Sequence, residues 1–406
     1  MAEEMRVLLE YADKIDPESA EEYVKVGGYV GLEKARKMES NDLIQEVKSS
    51  GHRGRGGAGF NVGLKWSFVP KNAEIKYVVC NLDEGEPGTY KDRIICEKNA
   101  QALLEGMAIC GTAIGSKQGY IYCRGEYPSI VKLLKNAIQS AQKLGVLGDF
   151  NIEVRMGAGA YVCGEETALI ESIEGHRGEP RFRPPFPGVA GLWGEPTVVN
   201  NVETLASLPY ILTNGSAWFA GIGAAKYPGT KIITLTGDAV NTTFFEVPTN
   251  YILRDVIYKL GGGVKGGKKL KAVQVGGTSG AFIPEQNLDT QIDYDSMGAI
   301  GAALGSGAVF VMDETRDIVD IVTRISKFFE HESCGKCNPC REGTFRCREI
   351  MEKINSGKAS SKDIDNILLL TRVMQKAAFC GLGQASPIPI QSTIKHFAHE
   401  YYRKII

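Results

Sequence analysis

The chain has 406 residues, 43% of them hydrophobic and 23% charged, and its formal net charge at pH 7 is −1. This length allows two or three domains with their own cores, and a charge so close to zero disfavours a nucleic acid partner bound through its phosphates. The most weakly polar stretch, residues 297–312, is short and rich in glycine, so we expect no direct membrane span.

The N-terminus has no basic region followed by an apolar segment, so we predict no signal peptide. Without a secretory signal, the ten cysteines are better explained as metal ligands or redox groups than as disulfides. We therefore predict a cytoplasmic protein, either free or in a complex at the inner face of a membrane.

Residues 1–50 are predicted to form a helical lead-in that ends in an amphipathic helix over 41–49. A glycine-rich segment, residues 54–59, follows it. Its bare backbone amides suit an anionic group, and Arg55 and Lys65 add positive charge. The segment matches G-x-G-x-x-G, but a dinucleotide loop of that type must follow a buried strand rather than a helix. A surface loop and a phosphate-binding loop of another kind both remain open.

Beyond this segment, short apolar strands alternate with helices. The strands are predicted over 76–80, 119–123 and 151–155, and the helices over 99–114, 128–143 and 165–174. Such alternation implies right-handed crossovers and a parallel sheet. Ligands bind at the carboxyl ends of strands in such sheets, so we expect the chemistry in the loops after Cys80, Cys123 and Arg155.

The loop after the first strand, residues 83–92, is called the acidic loop because it contains four carboxylates within ten residues. Asn81 and Asp83 are suited to hold the amide edge of a ring or the hydroxyls of a sugar. Composition alone is equally compatible with a solvated loop. The position of the acidic loop beside the glycine-rich segment favours a binding site.

The loop after the third strand, residues 157–167, leads into a helix, so its backbone amides can face an anionic ligand. Glu165 and Glu166 lie at the start of this helix, where the helix dipole stabilises carboxylates in any protein. The same pair could favour a ribose with free hydroxyls over one with a phosphate, and so select NADH over NADPH. Both explanations remain open.

The second half of the chain has a different pattern of predicted elements. After a proline-rich break, the segment 197–204 is predicted to start a helix. A small α+β unit is then predicted, with strands over 231–236, 244–247 and 272–275 and a helix over 251–260. Four helical segments over 316–331, 341–356, 361–378 and 388–404 predict a C-terminal four-helix bundle.

Three closely spaced cysteines, Cys334, Cys337 and Cys340, form the strongest motif. Their spacing lets three thiolates bind one iron–sulfur cluster, with a fourth ligand from elsewhere. A structural zinc site more often has two separated C-x-x-C pairs, so we favour a [4Fe–4S] cluster. The fourth ligand is either Cys347, on the following helix, or Cys380, between glycines and a helix end. We favour Cys380, because a loop cysteine can bring both sulfur and backbone amides to a cluster.

Together these segments resemble the flavoprotein subunit that binds NADH in respiratory complex I, the 51-kDa type. They also resemble the related flavin subunits of NAD-linked hydrogenases and formate dehydrogenases. The resemblance extends over residues 25–400 and rests on five motifs in the same order: 53–65, 81–93, 157–175, 184–204, and 334–343 with Cys380.

This resemblance implies an NADH dehydrogenase (diaphorase) subunit with FMN, NAD(H) and one [4Fe–4S] cluster, in which hydride passes between NADH and FMN and single electrons leave through the cluster. It implies a mainly α/β fold. Four regions are expected: a lead-in over 1–50, a Rossmann-like domain with a parallel sheet that binds FMN and NADH over 51–225, a ubiquitin-like α+β domain of the SLBB type over 226–305, and a helical bundle with the cluster over 306–406.

The resemblance also implies site residues. FMN would be held by Gly54, Arg55, Gly56, Gly57, Lys65, Asn81, Asp83, Glu84, Asn200, Asn201 and Thr204. Further cofactor-binding residues, with stacking aromatic rings and Glu166 beside the adenosine ribose, would be Phe60, Phe68, Tyr161, Gly164, Glu165, Glu166, Arg183 and Phe186. Glu86 would lie near the nicotinamide and affect the rate as well as binding. The cluster ligands would be Cys334, Cys337, Cys340 and Cys380.

Two positions depart from the family pattern. Arg183 stands where the family often has lysine, and its planar guanidinium is not equivalent to an ammonium group. Asn61 stands where proline is common, and we expect it to loosen the turn after Phe60.

The segments 304–307 and 379–387 look more like the hydrogenase and formate dehydrogenase branch. We therefore predict a subunit of an NAD-linked hydrogenase, with complex I and an NAD-dependent formate dehydrogenase as alternatives. The partners implied are a thioredoxin-like [2Fe–2S] subunit and a large iron–sulfur subunit, which is the hydrogenase catalytic subunit or a peripheral-arm subunit of complex I. A self-contained, flavin-free NAD dehydrogenase and a catalytically silent scaffold are the rival hypotheses.

Overall fold

The computed structural model describes residues 4–406, so the first three residues of the predicted lead-in lie outside the described residues. The lead-in contains α1 (Ala20–Lys25), α2 (Val30–Ala35) and α3 (Ser40–Ser49), and α4 (Val62–Ser67) follows the glycine-rich segment. The helix predicted over 41–49 is therefore confirmed as α3. The first three helices pack against helices that cover the parallel sheet, and α4 packs on α3.

Four parallel strands form the first sheet. Predicted site residues lie at the carboxyl ends of these strands. The strands are β1 (Tyr77–Leu82), β2 (Gln118–Cys123), β3 (Asn151–Met156) and β4 (Thr197–Asn201), in the spatial order β3-β2-β1-β4. Since β1 pairs in parallel with both β2 and β4, the predicted parallel sheet is confirmed. Helices α5 (Lys91–Ile114) and α6 (Pro128–Leu144) connect the first three strands, and α7 (Glu166–Ile173) follows the third.

Strand β4 corrects one prediction. The segment 197–204 was expected to start a helix, but its first five residues form a strand, and α8 (Val202–Ala206) begins only at Val202. The first four residues of β4 are buried. A strand buried on both faces has no polar–apolar alternation, so its sequence pattern does not distinguish it from a buried helix.

Helix α5 also begins earlier than predicted, at Lys91 rather than at residue 99. At Asn99 the backbone leaves the helical region, with φ −157° and ψ 51°. The Asn99 side-chain amide donates there to the carbonyl of Leu8 at 2.8 Å, which ties the lead-in to α5. The early start places the first turn of α5 beside the acidic loop.

A second, mixed sheet of five strands follows α9 (Leu208–Asn214), α10 (Ser216–Ala220) and the short strands β5 (Gly223–Ala224) and β6 (Tyr227–Pro228). Its strands are β7 (Thr230–Gly237), β8 (Phe244–Pro248), β9 (Leu270–Val275), β10 (Ala281–Ile283) and β11 (Ala308–Asp313), in the order β10-β9-β11-β7-β8. Two helices accompany them, α11 (Leu253–Asp255), which continues as a π-helical turn, and α12 (Tyr294–Ala299).

The central strand of this second sheet, β11, lies beyond the predicted unit boundary at residue 305. It pairs in parallel with β7 and antiparallel with β9, so a boundary at 305 would remove the middle of the sheet. This unit therefore extends to Asp313. The prediction missed β11 because its residues are apolar without a break as far as Met312, so the alternation of a half-buried strand is again absent.

The remaining elements are helices: α13 (Ile318–Glu332), α14 (Asn338–Asn355), α15 (Ser361–Ala377), the short α16 (Gly381–Ala385) and α17 (Ile388–Tyr402). Helix α13 packs on α14 and α17, and α15 packs on α14 and α17. Their apolar core continues through Val162 and Leu169 to one face of the parallel sheet. Within residues 4–406 no helix is both long and apolar enough to cross a membrane.

Candidate functional site

The glycine-rich segment lies against β4 and α8. Its Arg55 N–H donates to Thr204 Oγ1 at 2.8 Å, and a Cβ added to Gly56 would lie 3.0 Å from Asn201 Cβ. Gly57 has a φ of +144°, and an added Cβ there would meet no atom within 4 Å. The segment is thus packed on one side and open on the other, so its bare backbone can approach a ligand closely. We call residues 54–57, 81–84, 164–166 and 200–204 together the cradle.

The Arg55 side chain does not project from this loop into solvent. It is fully buried, and its Nη2 donates to the carbonyl of Pro228 at 2.5 Å. Among the described residues, its Nε and Nη1 have no hydrogen-bond partner. Burial lowers the pKa of Arg55, and the Glu203 carboxylate opposes this shift. The guanidinium therefore points towards β6, while the Arg55 backbone belongs to the cradle.

Asn61 does not loosen the turn, contrary to the sequence-based expectation. Its side-chain oxygen accepts from the Leu64 N–H at 2.8 Å and caps α4. Asparagine is among the best N-cap residues, so it fixes the start of α4 by a hydrogen bond that proline cannot make.

Lys65 and the acidic pair form a charged group at the end of β4. The Lys65 ammonium group donates to Glu166 Oε2 at 2.7 Å and to the Val199 carbonyl at 2.8 Å. Arg183 Nη1 lies 3.4 Å from Glu166 Oε1 and 3.8 Å from Glu165 Oε1. The Glu165 carboxylate accepts from the first backbone N–H groups of α7. Glu165 therefore caps the helix, whereas Glu166 is held between two cations.

The side-chain amides of the cradle are used mainly to hold its own loops. Asn81 Nδ2 donates to the Gly164 carbonyl at 2.8 Å, and its Oδ1 accepts from the Asp83 N–H at 3.0 Å. Asn200 Oδ1 accepts from Trp66 Nε1 at 3.0 Å. Asp83 differs, because its Oδ2 is buried without a hydrogen-bond partner in the described chain, and burial raises its pKa to about 7.

Glu84 points into the protein. Its carboxylate accepts from the backbone N–H groups of Asp92 at 2.7 Å and Arg93 at 3.0 Å, at the start of α5. Burial, with the Asp92 charge second, raises the pKa of Glu84 to about 7. Its side chain thus closes the N-terminus of α5, and its backbone carbonyl accepts from the Arg124 guanidinium.

A buried charge network below the cradle was missed by the sequence analysis. Lys91 Nζ lies 2.5 Å from Asp92 Oδ1, 3.0 Å from Asn201 Oδ1 and 3.1 Å from Glu203 Oε2. Asn201 Nδ2 donates in turn to Asp92 Oδ2 at 2.7 Å, and Lys231 pairs with Glu203. One residue in the sequence could have indicated this network. Lys231 is a lysine within the apolar strand β7, and a buried lysine requires a buried partner.

Three candidate stacking residues are exposed. Phe60, Phe68 and Phe186 are 49%, 58% and 57% exposed. The Phe60 and Phe68 ring centroids are 6.4 Å apart, and the Arg183 guanidinium lies 5.9 Å from the Phe186 ring centroid. Exposed rings beside charged groups provide stacking surfaces for planar ligands.

Glu86 borders a cavity of about 310 Å³ between the acidic loop and α13. The Tyr161 hydroxyl donates to its carboxylate, and the Ser279 N–H donates to Oε1 at 2.6 Å. Burial raises the pKa of Glu86, and these hydrogen bonds oppose the shift. Asp83 lines the same cavity, so the acidic loop contributes two carboxylates to one space.

The four predicted cluster cysteines line one small cavity, the cysteine cavity, together with Val162, Pro180 and Phe379. The Phe379 N–H donates to Cys337 Sγ at 3.4 Å, and a Cβ added to Gly383 would lie 3.2 Å from Cys340 Sγ. Burial raises the pKa of Cys340 to about 11. All ten cysteines are free of disulfides.

Cys347, the alternative fourth ligand, lies elsewhere. Its Sγ contacts Met374 Sδ at 3.7 Å in the interface between α14 and α15, and burial raises its pKa to about 12. Cys380 instead lies at the start of α16, and the backbone N–H groups of Leu382 and Gly383 oppose the upward shift that burial causes in its pKa. The geometry brings Cys380, not Cys347, to the other three sulfurs.

Comparison with known proteins gives matches to two family models. Residues 47–210 match the Nuo51 FMN-binding domain, and residues 320–404 match the NADH-ubiquinone oxidoreductase-F iron-sulfur binding region. The first match contains the whole cradle, and the second contains all four cysteines of the cysteine cavity.

Known proteins that match almost the whole of this chain include subunits of hydrogenases and of NADH-quinone oxidoreductases. The chain is 46% identical to the NADP-reducing hydrogenase subunit HndC of Solidesulfovibrio fructosivorans, covering 98% of this chain and 83% of that one. It is 45% identical to the F subunit of the NADH-quinone oxidoreductase of Aquifex aeolicus, covering 98% and 95%. Among solved structures, an NAD⁺-reducing [NiFe]-hydrogenase in the H₂-reduced state superimposes with a TM-score of 0.88 and 36% identity, over 99% of this chain and 67% of that one.

Proposed function

The chain belongs to the family of flavoproteins that includes the F subunits of NADH-quinone oxidoreductases, and we propose that it serves an NAD-linked hydrogenase as the NADH dehydrogenase subunit. The family's cofactors are FMN and an iron–sulfur cluster, and NADH is the substrate. When bound, FMN supplies the exchange between one hydride and two single electrons. The protein supplies position, charge and exclusion of water.

One observation carries this proposal: the segment Tyr161–Gly164 contacts both candidate sites. The Tyr161 hydroxyl bonds Glu86, and the Gly164 carbonyl accepts from Asn81 in the cradle. Val162, between them, lines the cysteine cavity. A single short segment thus joins the place where hydride would be received to the place where single electrons would leave.

The cradle fits FMN in its donor set. Bare amides of the segment 54–57 and the Lys65 ammonium group are suited to hold a phosphate. Asp83 has a buried oxygen without a partner in the described chain, which a donor on the ligand would satisfy. We assign Asn81, Asn200, Asn201 and Thr204 to positioning the flavin-binding loops.

The stacking residues and charged groups at the open edge of the cradle are assigned to NADH. Phe60, Phe68 and Phe186 would stack on its rings, and Glu86 would orient the nicotinamide. Glu166 would lie by the adenosine ribose. Because Lys65 and Arg183 already hold Glu166, its oxygens are fixed in place to accept from ribose hydroxyls.

The cysteine cavity fits a [4Fe–4S] cluster by its ligand set of four sulfurs, Cys334, Cys337, Cys340 and Cys380. The backbone N–H groups near Cys337 and Cys380 would donate to sulfur and tune the potential. We propose that α13–α17 form the bundle that carries this cluster. The second sheet, residues 226–313, is proposed as a ubiquitin-like module of the SLBB type that follows the FMN- and NADH-binding region 51–225.

The relatives that resemble this chain are subunits of multisubunit complexes, both hydrogenases and NADH-quinone oxidoreductases. We propose a thioredoxin-like [2Fe–2S] subunit and a large iron–sulfur subunit as partners, in the cytoplasm. Assignment to a hydrogenase is supported by HndC, which belongs to an NADP-reducing hydrogenase, and the choice of NAD is supported by the superimposed NAD⁺-reducing [NiFe]-hydrogenase. Complex I is the second candidate, favoured by the NADH-quinone oxidoreductase relatives of 43–45% identity.

An anaerobic titration of the purified chain with NADH tests the proposal. We expect the flavin absorbance to bleach, and a low-temperature EPR signal of a reduced cluster to appear with NADH or, for a cluster of low potential, with dithionite. Cys334→Ser should lose the EPR signal and keep the bleaching. A protein with bound zinc, no flavin and no bleaching would contradict the proposal.

A further inference from the structure

The Glu86 carboxylate is held by two elements that lie outside the acidic loop. One oxygen accepts from the backbone N–H of Ser279, at 2.6 Å, in the turn between β9 and β10. The other accepts from the Tyr161 hydroxyl. The acidic loop supplies the carboxylate, but the second sheet and the segment before α7 decide its orientation.

The turn between β9 and β10, residues 276–280, is shaped to receive Glu86. Gly277 has a φ of +93°, and a Cβ added to it would lie 2.3 Å from Glu86 Cγ. Any larger residue would therefore displace either the turn or the glutamate. The buried side chain of Gln274 donates to the carbonyls of Thr278 at 2.9 Å and Gly280 at 3.2 Å, which fixes the turn from below.

Residues 87–89 of the acidic loop also contact the strands and turns of the second sheet. Thr278 Oγ1 donates to the Pro87 carbonyl at 3.3 Å, and Thr234 Oγ1 donates to the Gly88 carbonyl at 2.9 Å. The Thr89 and Ser306 hydroxyls lie 2.6 Å apart. With the Ser279 bond, these polar contacts join residues 86–89 to the second sheet.

The position of the Tyr161 side chain is fixed by contacts with the C-terminal helix α13. The Tyr161 ring packs against Phe328 and Phe329 of α13, with centroid distances of 5.3 and 6.3 Å. Its backbone N–H donates to Glu332 Oε2 at 3.0 Å. Glu86 therefore lies between two fixed hydrogen-bond donors, one in the second sheet and one packed against the C-terminal helices.

We propose that the turn 276–280 is a positioning element of the nicotinamide site, which holds the Glu86 carboxylate in the orientation that binds NADH. This inference rests on the proposed function, because it takes Glu86 to contact the nicotinamide. It gives the second sheet a role in the reaction, although that sheet contributes none of the predicted site residues. A misplacement of about 1 Å in a reacting site can lower the reaction rate on the order of 100-fold.

Gly277→Ala tests this in the FMN-loaded protein, with Gly266→Ala as the matched control. Gly266 is also in the second unit and has a positive φ of +67°, but a Cβ added there would meet no atom within 4 Å. Both variants should lose stability through backbone strain, and Gly277→Ala should lose more because its Cβ also collides with Glu86. We expect only Gly277→Ala to weaken binding of a tetrahydro analogue of NADH, which cannot donate hydride, by about tenfold or more, the cost of losing one hydrogen bond to a charged group.

A double-mutant cycle separates positioning from general damage. In a Glu86→Gln background, Gly277→Ala should have little further effect on the dissociation constant of the analogue, since both changes act through the same carboxylate. Equal weakening in both backgrounds, or equal weakening by Gly266→Ala, would overturn the positioning role. If the wild-type chain bound neither FMN nor the analogue, the proposed function itself would fail instead.

Discussion

The cradle and the cysteine cavity differ in how their residues are distributed along the chain. The cradle draws on four segments between residues 54 and 204, whereas three of the four cysteines lie within residues 334–340. The cradle is also rich in hydrogen bonds between its own loops, such as that from Asn81 to Gly164. The cysteine cavity has few, such as that from the Phe379 N–H to Cys337 Sγ.

This difference shows two ways of preparing a site for a cofactor. In the cradle, protein groups satisfy one another and leave the backbone and one unpaired carboxylate oxygen for the ligand. In the cysteine cavity, burial raises the pKa of Cys340 to about 11 before any metal binds, and a bound metal would favour its thiolate. We therefore expect the cradle to tolerate loss of its ligand better than the cysteine cavity does.

The largest expected effect is at the cysteine cavity. Cys380→Ser should abolish the EPR signal of the cluster, because a hydroxyl is a far poorer ligand for iron than a thiolate. Cys347→Ser is the matched control, and it should retain the signal, since Cys347 contacts Met374 instead. Loss of the signal in Cys347→Ser with retention in Cys380→Ser would reverse the assignment of the fourth ligand.

A smaller but still substantial effect is expected below the cradle. Lys91→Met leaves Asp92 and Glu203 buried with one cation fewer, and breaking a buried ion pair in this way costs about 3–5 kcal/mol. Chemical denaturation should show this loss in the free energy of unfolding, together with weaker FMN retention, because Lys91 also bonds Asn201.

The control for this change is Lys117→Met, which breaks an ion pair with Asp149 at a side chain that is 81% exposed. An exposed pair contributes at most about 1 kcal/mol. Similar losses in the two variants would mean that the network below the cradle has no special role.

The smallest expected effect is a pH dependence in the flavin-free protein. Asp83 has a pKa of about 7 in the folded chain, against about 3.9 when unfolded. Between about pH 4 and 7 the folded state binds more protons, so stability falls as the pH rises. Asp83→Asn should reduce this slope by up to about 1.4 kcal/mol per pH unit.

Glu84 acts in the same direction, because its pKa is also raised to about 7, so Asp83→Asn should reduce the slope without abolishing it. Glu126→Gln is the control: Arg124 lowers the pKa of Glu126, so Glu126 makes stability rise rather than fall with pH, and its removal should not reduce the fall. Denaturant unfolding at a series of pH values gives the slope, and an unchanged slope in Asp83→Asn would contradict the buried, unpaired oxygen.

The sequence by itself determined the features that depend on local spacing. Alternating strands and helices specified the parallel sheet, and the spacing of Cys334, Cys337 and Cys340 specified a cluster motif. The order of five motifs specified the family, which the full-length relatives confirm. Each of these signals consists of residue types within short segments and of the order of those segments along the chain, so no knowledge of the fold is needed to recognise it.

The tertiary structure determined which residues from distant parts of the chain contact each other. It placed β4 at the edge of the parallel sheet and β11 in the middle of the second sheet, although their sequences lack the alternation of a half-buried strand. It also turned the Arg55 side chain away from the cradle towards Pro228, and set Ser279 against Glu86. The contacts of Arg55 with Pro228 and of Ser279 with Glu86 join residues more than 100 positions apart, and a local pattern carries no information about a distant partner. Only the packing of the two sheets and the C-terminal helices brings such partners together.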